Sequence, residues 1–561
     1  MKTRQINKLA IIMSFFILVL FSASAALATD YYVSPSGSDL GTGTIDSPWQ
    51  HIAYALCGGS YHCPIKTTNP NTPVAGDTLY LRGGTYYENN IYINNSGTAG
   101  SPITIKNYPG ETPVIDGGFT NSPYLTGSNS IQFAFFIVSS GSGYTSMATN
   151  VPVTGGSGTG MTVNIGYTSD GGLHFPSIDN PGSGYKIGDI VAVAGGTGTL
   201  KLHSNTNVQI GVINADGAGL SYLTFDGLNI EHGWRGNIIV GNAYAGHDIT
   251  IQNCDLHDVI ATDNAGEIFL NHGTSNILIQ NNKLHGIILA PDSSDMSGDG
   301  VWVSNNVNTA IIQNNEMYNL LQAVWLKYQQ PALSAPPFII RDNFIHDLMS
   351  SPRYNAQPEG TAAININNWG TQVTNNLIYN SPSVGINIGE SFSCSAHSNG
   401  GAFVSHNTIV NAAVGIIVDW ASGCAANPPD DNTFRDNIIY NFTSAQQRGV
   451  AVWEWDNAYT ADQSVTDFDH NLLYSASYSS PILTNCNGGY CYNSLAACPF
   501  SVCRNNIGQA PVFRDPGNGD FTLKPNSPGW HAASDGTSMG ANVQAVGLTS
   551  SAGPSATTGL Q

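Results

Sequence analysis

Lys327 is the single basic residue in two rows of side chains that the chain lays out by strict alternation. The rows come from Ile268-Phe269-Leu270-Asn271, Val301-Trp302-Val303-Ser304, Val324-Trp325-Leu326-Lys327, Ile364-Asn365-Ile366-Asn367, Ile386-Asn387-Ile388-Gly389 and Ile416-Ile417-Val418-Asp419. On a strand the first and third residues of each segment face inward and the second and fourth outward. Stacked at about 4.8 Å per coil, the outward residues give one row of Phe269, Trp302, Trp325, Asn365 and Asn387. The other row holds Asn271, Ser304, Lys327, Asn367, Gly389 and Asp419. Aromatic faces suit pyranose rings, and amide, hydroxyl and ammonium tips suit sugar hydroxyls, so an exposed sugar-binding groove is expected here.

The segments that enter these strands differ in length. Pro291-Asp292-Ser293-Ser294-Asp295-Met296-Ser297-Gly298-Asp299 is long and acidic, the segment before Lys327 is very short, and the one before Ile364 is long and carries Arg353, Tyr354 and Glu359. Lys327 is therefore expected on a floor between two walls, with Tyr354 in contact with substrate. A lysine desolvated in a cleft has a lowered pKa and can act as a base. The reaction fitting these parts is β-elimination of a uronate polymer: a base takes the proton α to the carboxylate while a cation neutralises that carboxylate. Glycoside hydrolysis would instead need two carboxyl groups about 5 to 10 Å apart, for which Asp419, Glu390 and Glu454 are the candidates. A non-catalytic glycan-binding or adhesion scaffold is a third reading.

The element that must position these rows is a column formed by Cys254, Asn282, Asn315, Asn343, Asn376, Asn407, Asn437 and Asn471, at intervals of 28, 33, 28, 33, 31, 30 and 34 residues. Such spacing is that of a solenoid whose turns share a cross-section and differ in loop length. Period-2 alternation around each member makes the turns strands and rules out helical repeats. A buried Asn once per turn predicts a ladder of side-chain amides. Cys254 begins the column, and a small buried thiol is expected there.

With this ladder, the chain resembles the right-handed parallel β-helix proteins of the pectate lyase superfamily. Tyr31-Tyr32-Val33-Ser34-Pro35 with Ser47-Pro48-Trp49, Ala75-Gly76-Asp77-Thr78-Leu79, and Ala510-Pro511-Val512-Phe513 through Pro525 resemble the opening, first coils and closing motif of that group. The resemblance implies an all-β fold, a right-handed parallel β-helix with an N-terminal cap. In the resembled lyases a Lys or Arg base and often calcium carry out the elimination. That implies Lys327 as base, Arg353 as neutralising cation, and Asp292, Asp295 and Asp299 as calcium ligands.

Between 136 and 205 the pattern changes. Gly141-Ser142-Gly143-Tyr144 precedes Gly155-Gly156-Ser157-Gly158, and Gly182-Ser183-Gly184-Tyr185 precedes Gly195-Gly196-Thr197-Gly198, which predicts a small inserted β domain with two repeats. The expected organisation is a signal peptide (1–28), cap and first coils (29–135), insert (136–205), main solenoid and closing segment (206–540) and a flexible tail (541–561). Lys2, Arg4, Lys8, the apolar run after them and Ala26-Leu27-Ala28 carry the signal reading. Export places the protein outside the cell, in the periplasm or on the cell surface, and no later apolar run is long enough for membrane insertion. Without the leader, 15 basic residues face 38 acidic ones, a net charge of about −23. Nucleic acid is then an unsuitable partner, whereas an acidic polysaccharide remains suitable where calcium or a local cation reverses the sign. Four near pairs of cysteines, Cys57/Cys63, Cys394/Cys424, Cys486/Cys491 and Cys498/Cys503, predict disulfides.

Overall fold

The computed structural model describes residues 28–57, 69–117, 133–167, 171–185, 189–204, 211–216, 219–241, 244–261, 264–289, 298–304, 306–327, 337–350, 362–389, 400–419, 431–443, 451–455, 465–486 and 489–548. Among these, three long sheets of thirteen, eleven and twelve strands wind around one apolar core. Each coil contributes one strand to each sheet, for example His247–Gln252 to sheet I, Asp255–Ala261 to sheet II and Gly266–Leu270 to sheet III. Nearly all pairings within the three sheets are parallel, the exception being the terminal hairpin Ile482–Cys486 with Gly489–Asn493. The all-β parallel solenoid is thus the fold expected from the column.

The column is the corner between sheets I and II, and all its asparagines are buried. Asn282 Nδ2 donates to Asn315 Oδ1 at 3.0 Å, and the same bond recurs from coil to coil as far as Asn471. Asn471 in turn donates to Asn506 Oδ1 at 3.2 Å, one rung beyond the last that the spacing showed. That rung follows a strand of only two residues, Cys503–Arg504, too short to display alternation. The residue before each rung, such as Asn281, Asn314, Asp342 or Asn375, has φ between 52° and 59°. Asn and Asp tolerate this left-handed region better than other side chains, so they bend the chain at the corner. Cys254 heads the ladder: its N–H donates to Asn282 Oδ1 at 3.0 Å, and burial pushes its thiol up to about 12.

One end is closed by the helix Ile52–Cys57, whose six residues are all buried. Glu88 accepts the N–H groups of Ile52 and Ala53 at 2.8 Å each, fixing the helix start against the first coils. Sheet I reaches back to Asp30–Val33, so the solenoid already includes the segment assigned to the cap.

Between two consecutive coils sits a six-stranded antiparallel sheet, Phe133 to Ser204, with its own core. Its duplication has a packing reason. A Cβ at Gly196 would lie 2.5 Å from the Tyr144 ring, and one at Gly158 would lie 2.3 Å from Tyr185, so each copy's glycines make room for the other copy's tyrosine.

The closing segment lies across the outer face of sheet II, where Phe513, Phe521, Leu523 and Met539 pack on Leu377, Val410, Ile438 and Leu472. Residues 541–548, expected in a flexible tail, belong to this cover: Ala541 N–H donates to Thr408 Oγ1 at 2.8 Å and Gly547 N–H to the Asp342 carbonyl at 2.8 Å. Of the expected disulfides, Cys498–Cys503 is formed with Cα atoms 6.2 Å apart, and Cys491 is also disulfide-bonded. Cys63, Cys394, Cys424 and the leader residues 1–27 lie outside the described residues. No helix among the described residues is long and apolar enough to cross a membrane.

Candidate functional site on the outer face of sheet III

Register in sheet III aligns Phe269 with Trp302, Trp302 with Trp325, Trp325 with Asn365 and Asn365 with Asn387. These side chains point away from the solenoid core: Ile239, Phe269, Trp302 and Trp325 form an apolar cluster of their own. Exposure is where the structure departs from expectation. Phe269, Asn365 and Asn387 are fully buried, Asn271, Trp302, Ser304, Asn367 and Lys327 are at most 8% exposed, and Trp325 is half-buried. Alternation dictates which way a side chain points, not what lies over it. A row of large apolar rings outside the core gains by being covered just as one inside does.

The rows are therefore a packed layer. Phe269 and Trp302 stack with ring centroids 4.1 Å apart. Lys327 lies back over Trp325, its Nζ 4.4 Å from the ring centroid, and donates to Asn264 Oδ1 at 2.7 Å. Asn264 also accepts, through its carbonyl, the Nε–H of Arg235 at 3.4 Å, and the Arg235 guanidinium stands 6.0 Å from the Phe269 ring. Two cations are thus gathered at one asparagine on one aromatic strip, each stabilised by the ring face beneath it.

Arg235 and Asn264 escaped the sequence reading because the rows were counted from Ile268. The signal available was Trp234-Arg235-Gly236 immediately before the strand Gly236–Val240, one coil earlier. A third outward row was missed as well, because each strand carries one extra residue before the alternating segment. That row aligns Gly266 with Asp299 and Asp299 with Gln322, and Gln322 Oε1 accepts Asn365 Nδ2 at 3.4 Å. Asn365 Oδ1 in turn accepts Asn387 Nδ2 at 3.4 Å. Asp299, expected in an acidic loop, is instead the first residue of the strand Asp299–Val303 and fully buried. Arg353, Tyr354, Asp292, Asp295 and Glu390 lie outside the described residues, as do the side chains of Asp419 and Glu454.

Three buried polar atoms of this layer have no hydrogen-bond partner among the described residues: Nε1 of Trp302, Nε1 of Trp325 and Oδ1 of Asn387. Each such group costs roughly 1–3 kcal/mol, which native folds tolerate mainly where the group has another task. Calcium takes six to eight oxygen ligands, and Asp299 is the one carboxylate of the expected trio that is described. The described residues of this face do not assemble a calcium site.

Residues 31–220 match a family model described as Pel9A-like, right handed beta helix region, and residues 210–400 match one described as right handed beta helix region. A protein named Pectate lyase PEL9, from Emericella nidulans, is 46% identical over 94 residues, 17% of this chain and 20% of that protein. The chain is a right-handed β-helix protein, with a Pel9A-like match over residues 31–220. An uncharacterized protein YwoF from Bacillus subtilis is 38% identical over 99 residues, 17% of this chain and 18% of that one. The chain thus matches about a fifth of the length of these two relatives. Among solved structures, pectate lyase Pel9A aligns over 77% of this chain and 82% of its own at 13% identity and a TM-score of 0.43.

Proposed function

We propose that this protein is an exported carbohydrate-active enzyme that cleaves a uronate-containing polysaccharide by β-elimination at the outer face of sheet III. The observation carrying the reading is the pair Arg235 and Lys327 joined through Asn264 above the strip Phe269-Trp302-Trp325. The short, strong match to a protein named pectate lyase agrees with it.

Elimination needs a base for the proton α to the carboxylate and positive charge at that carboxylate as the enolate-like transition state forms. Lys327 is the base, taking the carbon-bound proton after its ammonium, charged at rest over Trp325, has released its own proton to solvent. Asn264 and the Trp325 ring hold Nζ in one place, which lowers the entropic cost of reaching the transition state. Arg235 keeps its proton at any working pH and so serves as the neutralising cation. Arg353 and Tyr354 remain proposed contributors on the adjoining segment. Phe269 and Trp302, being closed off, act as the foundation, and Trp325 offers the apolar surface nearest the substrate. Asn271, Ser304, Asn365, Asn367 and Asn387 brace this layer and supply the polar atoms next to it. A divalent ion such as calcium, where bound, would add further charge neutralisation; no step above depends on it.

The test is incubation of the full chain, with and without chelator, with pectate, alginate, glycosaminoglycan and neutral glycans. The reading expects ultraviolet absorbance from a conjugated unsaturated uronate on at least one acidic polymer. New reducing ends without that absorbance would replace it with a hydrolase, and binding without cleavage with a scaffold.

A further inference from the structure

The closing segment covers sheet II only over its later coils, and the earlier coils carry a different outer row. Register aligns Asp116 with Glu231, Glu231 with His257 and His257 with His285. His232 follows Glu231 with φ 57°, so its ring turns back over the same row. Its Nδ1 lies 2.9 Å from Asp116 Oδ1 and 3.9 Å from Glu231 Oε1. All three ligand atoms fall within 4.8 Å of one another, on side chains 18–22% exposed. The other Glu231 oxygen, Oε2, lies 3.7 Å from His257 Nε2, while His257 Nδ1 lies 2.9 Å from Asp258 Oδ2.

These distances are close to the edges of a coordination tetrahedron. Metal–ligand bonds of about 2.0–2.1 Å, as for zinc with His and carboxylate, put neighbouring ligand atoms about 3.3–3.4 Å apart. Edges of 2.9 and 3.9 Å bracket that value, the third lies within 4.8 Å, and an ion would replace the hydrogen bond that joins His232 Nδ1 to Asp116 Oδ1. The donor set, one imidazole with two carboxylates, suits zinc-class divalent ions; calcium would ask for oxygen alone. His257, oriented by Asp258, stands behind Glu231 as an outer partner does behind a metal-bound carboxylate.

We propose that Asp116, Glu231 and His232 form a structural binding site for a zinc-class divalent ion, positioned by His257. Its location gives it a purpose. Asp116 ends the last strand of sheet II before the inserted domain, Glu231 ends the next one after it, and Asp116 and His232 are 116 positions apart in sequence. An ion there ties together the two coils that the insert separates, and a cross-link closing so long a loop removes much conformational freedom from the unfolded chain. The site is on a different face from the proposed catalytic one and stands or falls without it.

The full chain, freed of metal by chelator, is titrated with Co²⁺ and Zn²⁺ while visible absorption and thermal unfolding are recorded. Expected are the d–d absorption of a low-coordinate Co²⁺ centre at one equivalent, its loss on adding Zn²⁺, and a rise in unfolding temperature with either ion. His232→Ala abolishes both signals. His257→Ala weakens binding by about 10-fold or more, the usual effect of losing an outer-shell partner. His247→Ala, on sheet I, leaves binding unchanged and controls for surface histidines. Because Co²⁺ absorption is read on folded protein, His232→Gln and Asp116→Asn with unaltered circular dichroism decide the matter should His232→Ala fold poorly. No Co²⁺ absorption and no thermal shift in the wild type, or signals that survive in His232→Gln, would overturn the site.

Discussion

Replacing Asn376 by Leu tests the ladder where water cannot repair it. Asn376 Oδ1 accepts the Asn343 backbone N–H at 3.1 Å and Asn343 Nδ2 at 2.9 Å. Its Nδ2 donates to the carbonyls of Ile340 at 2.9 Å and Thr374 at 3.2 Å and to Asn407 Oδ1 at 3.0 Å. Some of these partners keep an alternative: Asn343 Nδ2 still reaches the Ile312 carbonyl, and Asn407 Oδ1 still accepts the backbone N–H of residue 376. The Asn343 N–H loses its side-chain acceptor in the interior. Leucine keeps asparagine's branching at Cγ but is bulkier, so no cavity is left and any overpacking adds to the loss. One orphaned donor together with two or three forfeited bonds gives a destabilisation of about 2–4 kcal/mol. Urea unfolding followed by tryptophan fluorescence measures it cleanly, because none of the nine tryptophans lies between residues 133 and 204 and the signal reports the solenoid alone. The same change at Asn506, the half-buried terminal rung, should cost less than half as much because water reaches the groups it frees. Asn376→Leu within about 0.5 kcal/mol of wild type, or equal losses at the two positions, would refute a ladder whose energy comes from buried amides.

The Cys254 thiol, pushed up to about 12 by burial, should resist a water-soluble disulfide reagent in the native protein and react fully in denaturant; fast native reaction would show the head of the column to be open. Glu267 is fully buried and accepts the Val259 N–H at 3.1 Å and an Asn237 Nδ2 donor, yet desolvation outweighs these bonds and raises its pKa well above the ordinary value. The folded state therefore holds a proton that the unfolded state releases above its ordinary carboxylate pKa, so stability falls as pH rises through that window, by at most about 1.4 kcal/mol per pH unit for one proton. Glu267→Gln should flatten that slope even where it lowers overall stability. An unchanged slope in urea midpoints between mildly acidic and neutral pH would mean Glu267 is ionised in the fold.

The solenoid was legible because its repeating parts are local: an Asn every coil and an aliphatic two residues on. The missed rung at Asn506 shows the limit of that signal, which fails once the preceding strand shrinks to two residues. The site was half legible. Which residues of sheet III point away from the core follows from alternation, so the grouping of Trp302, Trp325 and Lys327 could be read. That they are buried could not be read, since alternation says nothing of what lies over a face. Neither could the role of Asn264, which meets Lys327 across 63 positions by the depth of a loop and not by any period. Asp299 looked like a loop acid because strand onset is set by pairing with Gly266 and Gln322, partners that sequence does not display.

The most direct test of the central claim is the rate of unsaturated-product formation by Lys327→Ala and Lys327→Arg beside wild type on the acidic polymer that wild type cleaves. Folding must be checked alongside, because Lys327 is buried against Trp325 and contributes to the layer. The account predicts loss of elimination by at least about a hundredfold in Lys327→Ala with glycan binding retained, and little rescue by Lys327→Arg, whose guanidinium does not give up its proton. Undiminished elimination by a folded Lys327→Ala variant would contradict it.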